Sequence, residues 1–210
     1  MKEALLESTL RKMRLARVLP SIQAFSNPSV LDIGCGWEAR LLHEIEPYIA
    51  RGVGIDFKAP EIRTEKLHTF SYFFEPKDFA KTGGGGGAKP VPDHKLCHLP
   101  FPNESFEIIT MLAVLEHLHH PQAMLEEIAR VLKPNSILLL TVPSHLAKPV
   151  LEFLAFRLKI VSEAEIADHK RYYNKRDLRE LVASVPELTL TKHKYFQLGM
   201  NNFCIIHKRA

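Results

Sequence analysis

The sequence predicts an α/β domain, in which a doubly wound, mostly parallel sheet carries helices on both faces and ends in an antiparallel strand. Three observations lead to this class. A short apolar strand at 29–33 is followed by a glycine turn, a helix and a second strand at 52–55, the order of a βαβ unit. Two further apolar runs flank a helical stretch, at 106–112 and 137–142. Two alternating segments close the chain, at 188–195 and 202–207.

The elements of the first half can be placed in order. Apolar residues with a period near 3.6 predict a helix over 2–19, which Pro20 is expected to end. A second helix is expected over 38–45, and residues 69–74 (TFSYFF) are a candidate strand. Five consecutive glycines at 83–87 predict a flexible loop, not a phosphate loop, because no Lys-Ser/Thr pair follows them.

The second half continues the same alternation. A helix is expected over 121–132, because Pro121 suits a first helical turn and Asn135 suits the turn that follows. Residues 146–185 are expected to be mainly helical, with an unusually apolar stretch at 147–161. No internal repeat interrupts this order, so the chain is expected to form one domain.

Composition excludes several classes of protein. The 210 residues are 46% hydrophobic and 25% charged, which excludes a disordered, collagenous or disulfide-framework chain. A net charge of +4 is too small to indicate nucleic-acid binding without clustered basic residues. Three widely spaced cysteines form no CxxC pair and are typical of reduced thiols. No signal peptide or membrane-length apolar run is evident, so a cytoplasmic location is expected.

A nucleoside site is expected where the first two strands end. Gly34 and Gly36 follow the first strand, where glycines let a backbone pass close to a ligand. Asp56 ends the second strand, where an acid can accept hydrogen bonds from both hydroxyls of a ribose. The combination therefore predicts an adenosine ligand at the carboxyl ends of the strands.

Two kinds of adenosine ligand fit this pattern. Gly34, Gly36 and Ala39 also satisfy G-x-G-x-x-A, so an NAD-type dinucleotide must be weighed. Asp32 before the turn suits a cationic ligand better than a pyrophosphate. Glu38 at the start of the helix adds the wrong charge for a phosphate. These two acids favour a cationic ligand, and the oxidoreductase remains the alternative.

The motifs resemble those of class I S-adenosylmethionine-dependent methyltransferases. Residues 30–36 (VLDIGCG) are similar to the first motif of that family, and residues 54–56 (GID) to its ribose-binding acidic motif. Three later segments follow in the family order: 99–107 (LPFPNESFE), 114–118 (VLEHL) and 130–134 (RVLKP). The resemblance implies a Rossmann-like, seven-stranded sheet and S-adenosylmethionine as the cofactor.

The resemblance also implies the residues that hold the cofactor. The family often has an acid shortly before the Leu-Pro-Phe segment, where this chain has Lys95 and Leu96. Either Asp93, displaced along the chain, or the backbone around Cys97 and His98 is the expected replacement for that adenine contact. The implied cofactor-binding residues are Asp32, Gly34, Cys35, Gly36, Asp56, Phe57, Cys97 and His98.

Candidate bases follow the later strands. Glu116 and His117 lie just past the fourth strand, and His117 is the lead candidate because histidine titrates near neutrality. His169 lies in a run of charged and aromatic residues, 168–173 (DHKRYY), and is a further candidate base. His145 is a weaker one. A structural role in capping a turn or packing the aromatics is the alternative for both clusters.

The resemblance implies one methyltransferase domain over 1–210, with an N-terminal helical cap at 1–27 and a helical substrate lid at 145–185. The implied acceptor is a small molecule, for which a saccharide or a lipid-linked sugar is a candidate, with peripheral membrane contact left open. Nucleic acid is not expected, because the base-holding Pro-Pro-aromatic motif is absent after the fourth strand. The histidines lack the spacing of a closed four-ligand zinc site, so no metal is expected. A scaffold that binds the cofactor without catalysis is the remaining alternative.

Overall fold

The computed structural model describes residues 5–74, 97–150 and 170–210, with side chains from residue 9 onward. The strands in these ranges are β1 (Ser29–Ile33), β2 (Arg51–Asp56), β3 (Ile62–Arg63), β4 (Leu67–Ser71), β5 (Phe106–Leu112), β6 (Leu132–Pro143), β7 (Leu188–Phe196) and β8 (Asn201–Lys208). The helices are α1 (Leu5–Gln23), α2 (Arg40–Ile45), α3 (Pro121–Val131) and α4 (Lys175–Ala183). Single 3-10 turns cover Glu46–Tyr48 and Leu115–His117.

The strands form one sheet in the order β3-β4-β2-β1-β5-β6-β8-β7. The five strands from β4 to β6 in this order are parallel, while β3, β8 and β7 join by antiparallel pairing. The doubly wound, mostly parallel sheet with an antiparallel end is confirmed. The sheet has eight strands where seven were expected, because the two-residue strand β3 pairs along the edge of β4.

The strand order reverses between β1 and β5. From β1 the chain first builds outward through β2 and β4, and later returns to build through β5 and β6 on the other side. Crossovers diverge at such a point, which leaves a crevice at the carboxyl ends of the two central strands. The fold therefore places the ends of β1 and β5 at the position where open α/β sheets bind ligands.

Both faces of the sheet are covered by helices. Val18 and Ile22 of α1 and Leu42 of α2 are buried in one hydrophobic core. Leu125 of α3 and Leu178 of α4 are buried in the other. Strand β6 contributes to both cores, because alternate residues of a strand point to opposite faces of the sheet. Ile137 and Leu139 lie in the first core, and Leu138, Leu140 and Val142 lie in the second.

One expectation about the helices was wrong. Helix α1 continues past Pro20 to Gln23, because the last turn buries Ile22 completely in the core and this burial offsets the backbone hydrogen bond that proline cannot donate. Residues 170–174 are not helical. Asn174 caps α4, and its side chain accepts the backbone N–H groups of Arg176 and Asp177. The five-glycine run and most of the apolar stretch at 147–161 lie outside the described residues.

The segment that leads into β5 is fastened to α3 by one arginine. The guanidinium of Arg130 donates to the carbonyl oxygens of Leu99 at 2.9 Å and Phe101 at 2.8 Å. It also pairs with Glu127 at 2.7 Å, and Glu127 accepts the backbone N–H of Leu99 at 2.8 Å. A single side chain thus supplies a donor to the Phe101 carbonyl and a second donor to the Leu99 carbonyl, which also accepts the Phe101 N–H at 2.8 Å.

We expect Arg130→Ala to lower the free energy of unfolding by about 1–3 kcal/mol, because the Phe101 carbonyl loses its side-chain donor and the partly buried Glu127 carboxylate loses its guanidinium partner. Arg176→Ala is the matched control, since Arg176 also pairs with an acid on its own helix, Glu180, but both side chains are exposed. Its loss should be much smaller than that of Arg130→Ala, because an ion pair between two exposed side chains contributes little to stability. Urea denaturation followed by circular dichroism measures both values, and equal losses would contradict the assignment.

Candidate active site

A buried carboxyl joins the two central strands at the crevice. Asp32 of β1 lies beside Thr110 of β5, and the Thr110 hydroxyl donates to Asp32 Oδ1 at 2.6 Å. Asp32 is only 3% exposed. Burial raises the pKa of Asp32 to about 7, the Thr110 hydrogen bond opposes this rise, and the charge of Asp56 adds to it. A cationic group in the crevice would therefore favour the ionised form of Asp32.

The glycine turn after β1 adopts a conformation that needs glycine. Gly34 and Gly36 have φ values of 81° and 68°. The Gly34 N–H donates to the Ile55 carbonyl at 2.8 Å, which fastens the turn to β2. A Cβ at Gly34 would overlap the side chain of Val114, whereas a Cβ at Gly36 would meet nothing within 4 Å. The turn is thus packed against the loop after β5 at Gly34 and open at Gly36.

The Asp56 carboxylate is held at the end of β2 by two backbone donors. Gly36 N–H donates to Oδ2 at 3.1 Å and Lys58 N–H donates to Oδ1 at 2.8 Å. Each oxygen retains a further lone pair, so the carboxylate can still accept hydrogen bonds from two neighbouring hydroxyls. The open face of Gly36 and this carboxylate are adjacent, which fits a ribose.

Cys35 lines the same turn as a neutral thiol. The thiol is half-buried, and its Sγ lies 2.9 Å from the position that a Cβ would take at Gly54. Burial raises the pKa of the Cys35 thiol, and the carboxyls of Asp32 and Asp56 raise it further. A thiol with a raised pKa is a poor nucleophile, so Cys35 supplies shape, not covalent chemistry.

Two phenylalanines stand beside Asp56. Phe57 is 52% exposed and Phe73 is 49% exposed, and their ring centroids are 6.2 Å apart. The Lys58 ammonium lies 4.8 Å from the centre of the Phe57 ring. Exposed aromatic faces next to a ribose-type carboxylate suit a planar base. The sequence pointed to Phe57 but missed Phe73, which was placed in a candidate strand although the strand ends at Ser71.

Cys97 and His98 occupy different environments. Cys97 is buried in the core that also contains Leu99. The backbone N–H of His98 donates to the Phe74 carbonyl at 3.2 Å, and its ring Nδ1 lies 3.3 Å from Glu127. The His98 backbone donor is therefore used within the protein. A contact of this segment with an adenine stays a prediction.

Glu116 is a second buried carboxyl at the crevice. It lies in the 3-10 turn after β5, is 1% exposed, and its Oε2 has no hydrogen-bond partner among the described residues. Burial raises the pKa of Glu116 to about 8, and the positive charge of Arg14 on α1 partly opposes that rise. Its backbone carbonyl accepts the Lys170 N–H at 2.9 Å. The N-terminal helix and the 170–174 segment thus both reach this turn.

The histidine candidates are not brought together with Glu116 in one cluster. His117 is half-buried in the same turn, and its backbone N–H donates to the Val114 carbonyl at 2.9 Å. His145 is exposed, and its Nε2 lies 2.9 Å from the Asp177 carboxylate. His169 lies outside the described residues.

Tyr173 lies at the end of β6, near enough to Glu116 to be affected by its charge. Its side chain is buried, and its backbone N–H donates to the Pro143 carbonyl at 3.2 Å. Its carbonyl accepts the Asn202 side-chain amide at 2.9 Å. Burial raises the pKa of the Tyr173 hydroxyl, an effect that the nearby Arg171 opposes and Glu116 reinforces.

Besides Phe73, sequence reasoning missed Thr110 as a residue of the site, although a lone hydroxyl in the apolar run 106–112 was a usable signal.

This arrangement defines a class of protein. A left-handed glycine turn, a ribose-type carboxylate and a buried acid that favours cations lie together at the strand reversal. The crevice fits an adenosine ligand that carries a positive charge. S-adenosylmethionine, with a sulfonium and an ammonium group, is such a ligand.

Comparison with known proteins gives the family. The family model described as a methyltransferase domain matches residues 7–185. The chain belongs to this methyltransferase-domain family, and the resemblance to class I S-adenosylmethionine-dependent methyltransferases, with S-adenosylmethionine as the cofactor, is confirmed.

Two curated relatives and one solved structure illustrate the likeness. A demethylmenaquinone methyltransferase of Lactiplantibacillus plantarum is 27% identical over 65% of this chain and 54% of its own length. A ubiquinone biosynthesis O-methyltransferase of Glaesserella parasuis is 28% identical over 66% of this chain and 55% of its own. The chain spans about half the length of these relatives.

The solved structure supports the fold. It is a methyltransferase in complex with the Trm112 methyltransferase activator of Haloferax volcanii, with a TM-score of 0.67, 15% identity, and coverage of 96% of this chain and 93% of that one. Among residues 5–74, 97–150 and 170–210, no helix combines the length and apolar character needed to cross a bilayer.

We expect Gly34→Ala to lower the free energy of unfolding by about 2–4 kcal/mol, because it adds overlap with Val114 to the left-handed strain. Gly36→Ala is the control, since it carries strain without overlap and should lose about 1–2 kcal/mol. Adding Val114→Ala to Gly34→Ala should recover part of the loss. Thermal and urea unfolding measure these differences, and the absence of any recovery would contradict the close approach.

Proposed function

We propose that this chain transfers the methyl group of S-adenosylmethionine to a small-molecule acceptor, and that the acceptor is a hydroxylated aromatic ring of the quinol type. The observation that carries the methyl-transfer proposal is the Gly36 N–H bound to the Asp56 carboxylate beside an open Gly36, in a member of the methyltransferase-domain family. This hydrogen bond holds the Asp56 carboxylate at the strand reversal, where it can accept hydrogen bonds from the ribose of the cofactor.

Each part of the crevice has a role toward the cofactor. Asp56 accepts the two ribose hydroxyls, and the faces of Phe57 and Phe73 hold the adenine. The open backbone at Gly36 lets the cofactor pass close, and Asp32 supplies negative charge for its cationic end. When bound, the cofactor supplies a methyl group on a sulfonium sulfur, which is a good leaving group.

The acceptor class is proposed from the relatives and from the chemistry of Glu116. The curated relatives are named for menaquinone and ubiquinone synthesis. The saccharide or lipid-linked sugar that the resemblance had suggested has no support among them. A phenolic hydroxyl loses its proton near pH 10, within reach of a base whose own pKa is raised above neutrality.

Glu116 is the residue to which we assign the proton transfer. Its carboxylate takes the ring hydroxyl proton. The electron pair left on the ring, at oxygen or at an adjacent carbon, forms the bond to the methyl carbon while the carbon–sulfur bond breaks and its pair stays on sulfur. At a ring carbon, the displaced hydrogen leaves as a proton to solvent. Alignment supplies the rest of the rate enhancement.

Burial distinguishes Glu116 from the lead candidate named from sequence. His117 was preferred because histidine as a residue type titrates near neutrality, and it remains the second candidate because it shares the same turn. Glu116 is favoured because its unpartnered Oε2 and raised pKa are typical of a carboxyl poised for proton transfer. His169 is the third candidate.

The two alternatives lead to different measurements. An NAD-dependent oxidoreductase would bind NADH in preference to S-adenosylhomocysteine. A scaffold would bind S-adenosylhomocysteine but release none of it from S-adenosylmethionine in the presence of any acceptor. Family membership favours methyl transfer over both.

We expect Glu116→Gln to reduce kcat with a hydroquinone acceptor about 10²- to 10³-fold while cofactor affinity stays unchanged. A base must be deprotonated, so the wild-type kcat should rise as pH increases through about 8, the raised pKa of Glu116. The variant should lose that rise. The measurement is the release of S-adenosylhomocysteine with anaerobic naphthohydroquinone as the probe.

His117→Gln is the matched control for this prediction. It changes the neighbouring side chain of the same turn and should keep the pH-dependent rise. If His117→Gln abolishes the rise and Glu116→Gln preserves it, the proton transfer belongs to His117. If neither wild type nor variant releases S-adenosylhomocysteine, the quinol assignment fails.

A further inference from the structure

Two exposed leucines lie on the side of the sheet where the parallel strands have their carboxyl ends, which is also the side of the crevice. The loop 197–200 joins β7 to β8 beside the end of β6, where the Ser144 N–H donates to the Met200 carbonyl at 2.9 Å. Leu198 in this loop is 96% exposed, and Leu146 just after β6 is 65% exposed. Leu146 Cδ1 lies 3.4 Å from the position of a Cβ at Gly199, so the two leucines belong to one surface. We call Leu146 and Leu198 the apolar lip.

Leu198 holds its place at a conformational disadvantage. Gln197, Leu198 and Gly199 have φ values of 52°, 57° and 86°, three successive residues in the left-handed region. Glycine and asparagine adopt this conformation readily, and leucine does not. At 96% exposure, Leu198 gains little packing from the described part of the chain to offset the strain. A leucine held in this way is suited to a contact outside the chain.

Basic side chains accompany the lip. Lys148 is exposed in the helical turn that begins after Leu146. The Arg17 guanidinium lies 5.8 Å from the centre of the Phe196 ring, immediately before the loop. Among the residues that the structure describes here, the Asp177 carboxylate lies 2.9 Å from His145 Nε2, next to Leu146 in the chain. Apolar tips beside lysine and arginine match an interface that is negatively charged outside and apolar beneath.

We propose that the apolar lip docks on the headgroup region of an anionic phospholipid bilayer. Leu146 and Leu198 enter the boundary between headgroups and acyl chains, and Lys148 and Arg17 contact the phosphates. This contact would hold the mouth of the crevice toward the lipid surface. The inference goes beyond the proposed methyl transfer and stands whether or not the chain transfers methyl groups, because it rests on surface residues outside the crevice.

The test is co-sedimentation with vesicles of phosphatidylcholine alone and of phosphatidylcholine with a quarter phosphatidylglycerol. Wild type should bind the anionic vesicles and bind the neutral ones at least several-fold more weakly. Its binding should fall as salt is raised, because screening weakens the contacts with lipid phosphates. No acceptor or cofactor is needed, so failure here is separate from failure of the proposed function.

Leu198→Asn is the decisive variant. Asparagine tolerates the left-handed conformation, so the protein should be at least as stable as wild type while binding anionic vesicles roughly tenfold or more weakly. Tyr48→Asn is the matched control, because Tyr48 is 40% exposed on the opposite side of the sheet, where the parallel strand β2 begins. It should bind vesicles like wild type.

Three results would overturn the proposal. The first is that wild type does not sediment with anionic vesicles although its far-ultraviolet circular dichroism is that of a folded protein. The second is that Leu198→Asn sediments with these vesicles as wild type does. The third is that wild type, but not Leu198→Asn, self-associates without lipid on size-exclusion chromatography, which would mean that the lip contacts a second copy of the chain.

Discussion

The approach of the turn after β1 to the loop after β5 is the contact on which the site depends. A Cβ at Gly34 would overlap Val114, so this approach is possible only because the turn lacks a side chain there. The same turn donates from Gly34 to the end of β2 and from Gly36 to Asp56. The carboxyl ends of the parallel strands β1, β2 and β5 are thereby held in position relative to one another. The ribose-type carboxylate then needs no rearrangement to receive a ligand, which is the condition for precise alignment in a displacement reaction.

Two buried carboxyls give this edge its electrostatic character. Burial raises the pKa of Asp32 to about 7 and that of Glu116 to about 8. Protonation relieves much of the cost of burying them. The roles we propose for them differ because their surroundings differ: Thr110 donates to Asp32, whereas Glu116 has an oxygen without a protein partner in the described part of the chain. The first suits a cationic cofactor and the second suits proton exchange with an acceptor.

Most of the fold could be predicted from the sequence, because the patterns that indicate its strands and turns are local. The glycine turn and Asp56 predicted the βαβ unit and the ribose position, and the apolar runs predicted the central strands. The sequence could not place the break in the helical region at 170–174, since the Asn174 cap, the Lys170 contact with Glu116 and the Tyr173 contact with Pro143 are not expressed in periodicity. The preference for His117 over Glu116 came from the general behaviour of histidine side chains. Our reason for proposing Glu116 instead is its burial by distant elements, a tertiary property that no short window of sequence contains.

The most direct test of the central claim is calorimetric titration with S-adenosylhomocysteine beside NADH. The account predicts that wild type binds S-adenosylhomocysteine and that Asp56→Ala weakens the affinity roughly tenfold to a hundredfold, through the loss of charge-assisted hydrogen bonds. Glu61→Ala, at an exposed acid near the same edge of the sheet, should bind like wild type. Binding of NADH instead, or equal affinity in wild type and Asp56→Ala, would contradict the assignment of the crevice.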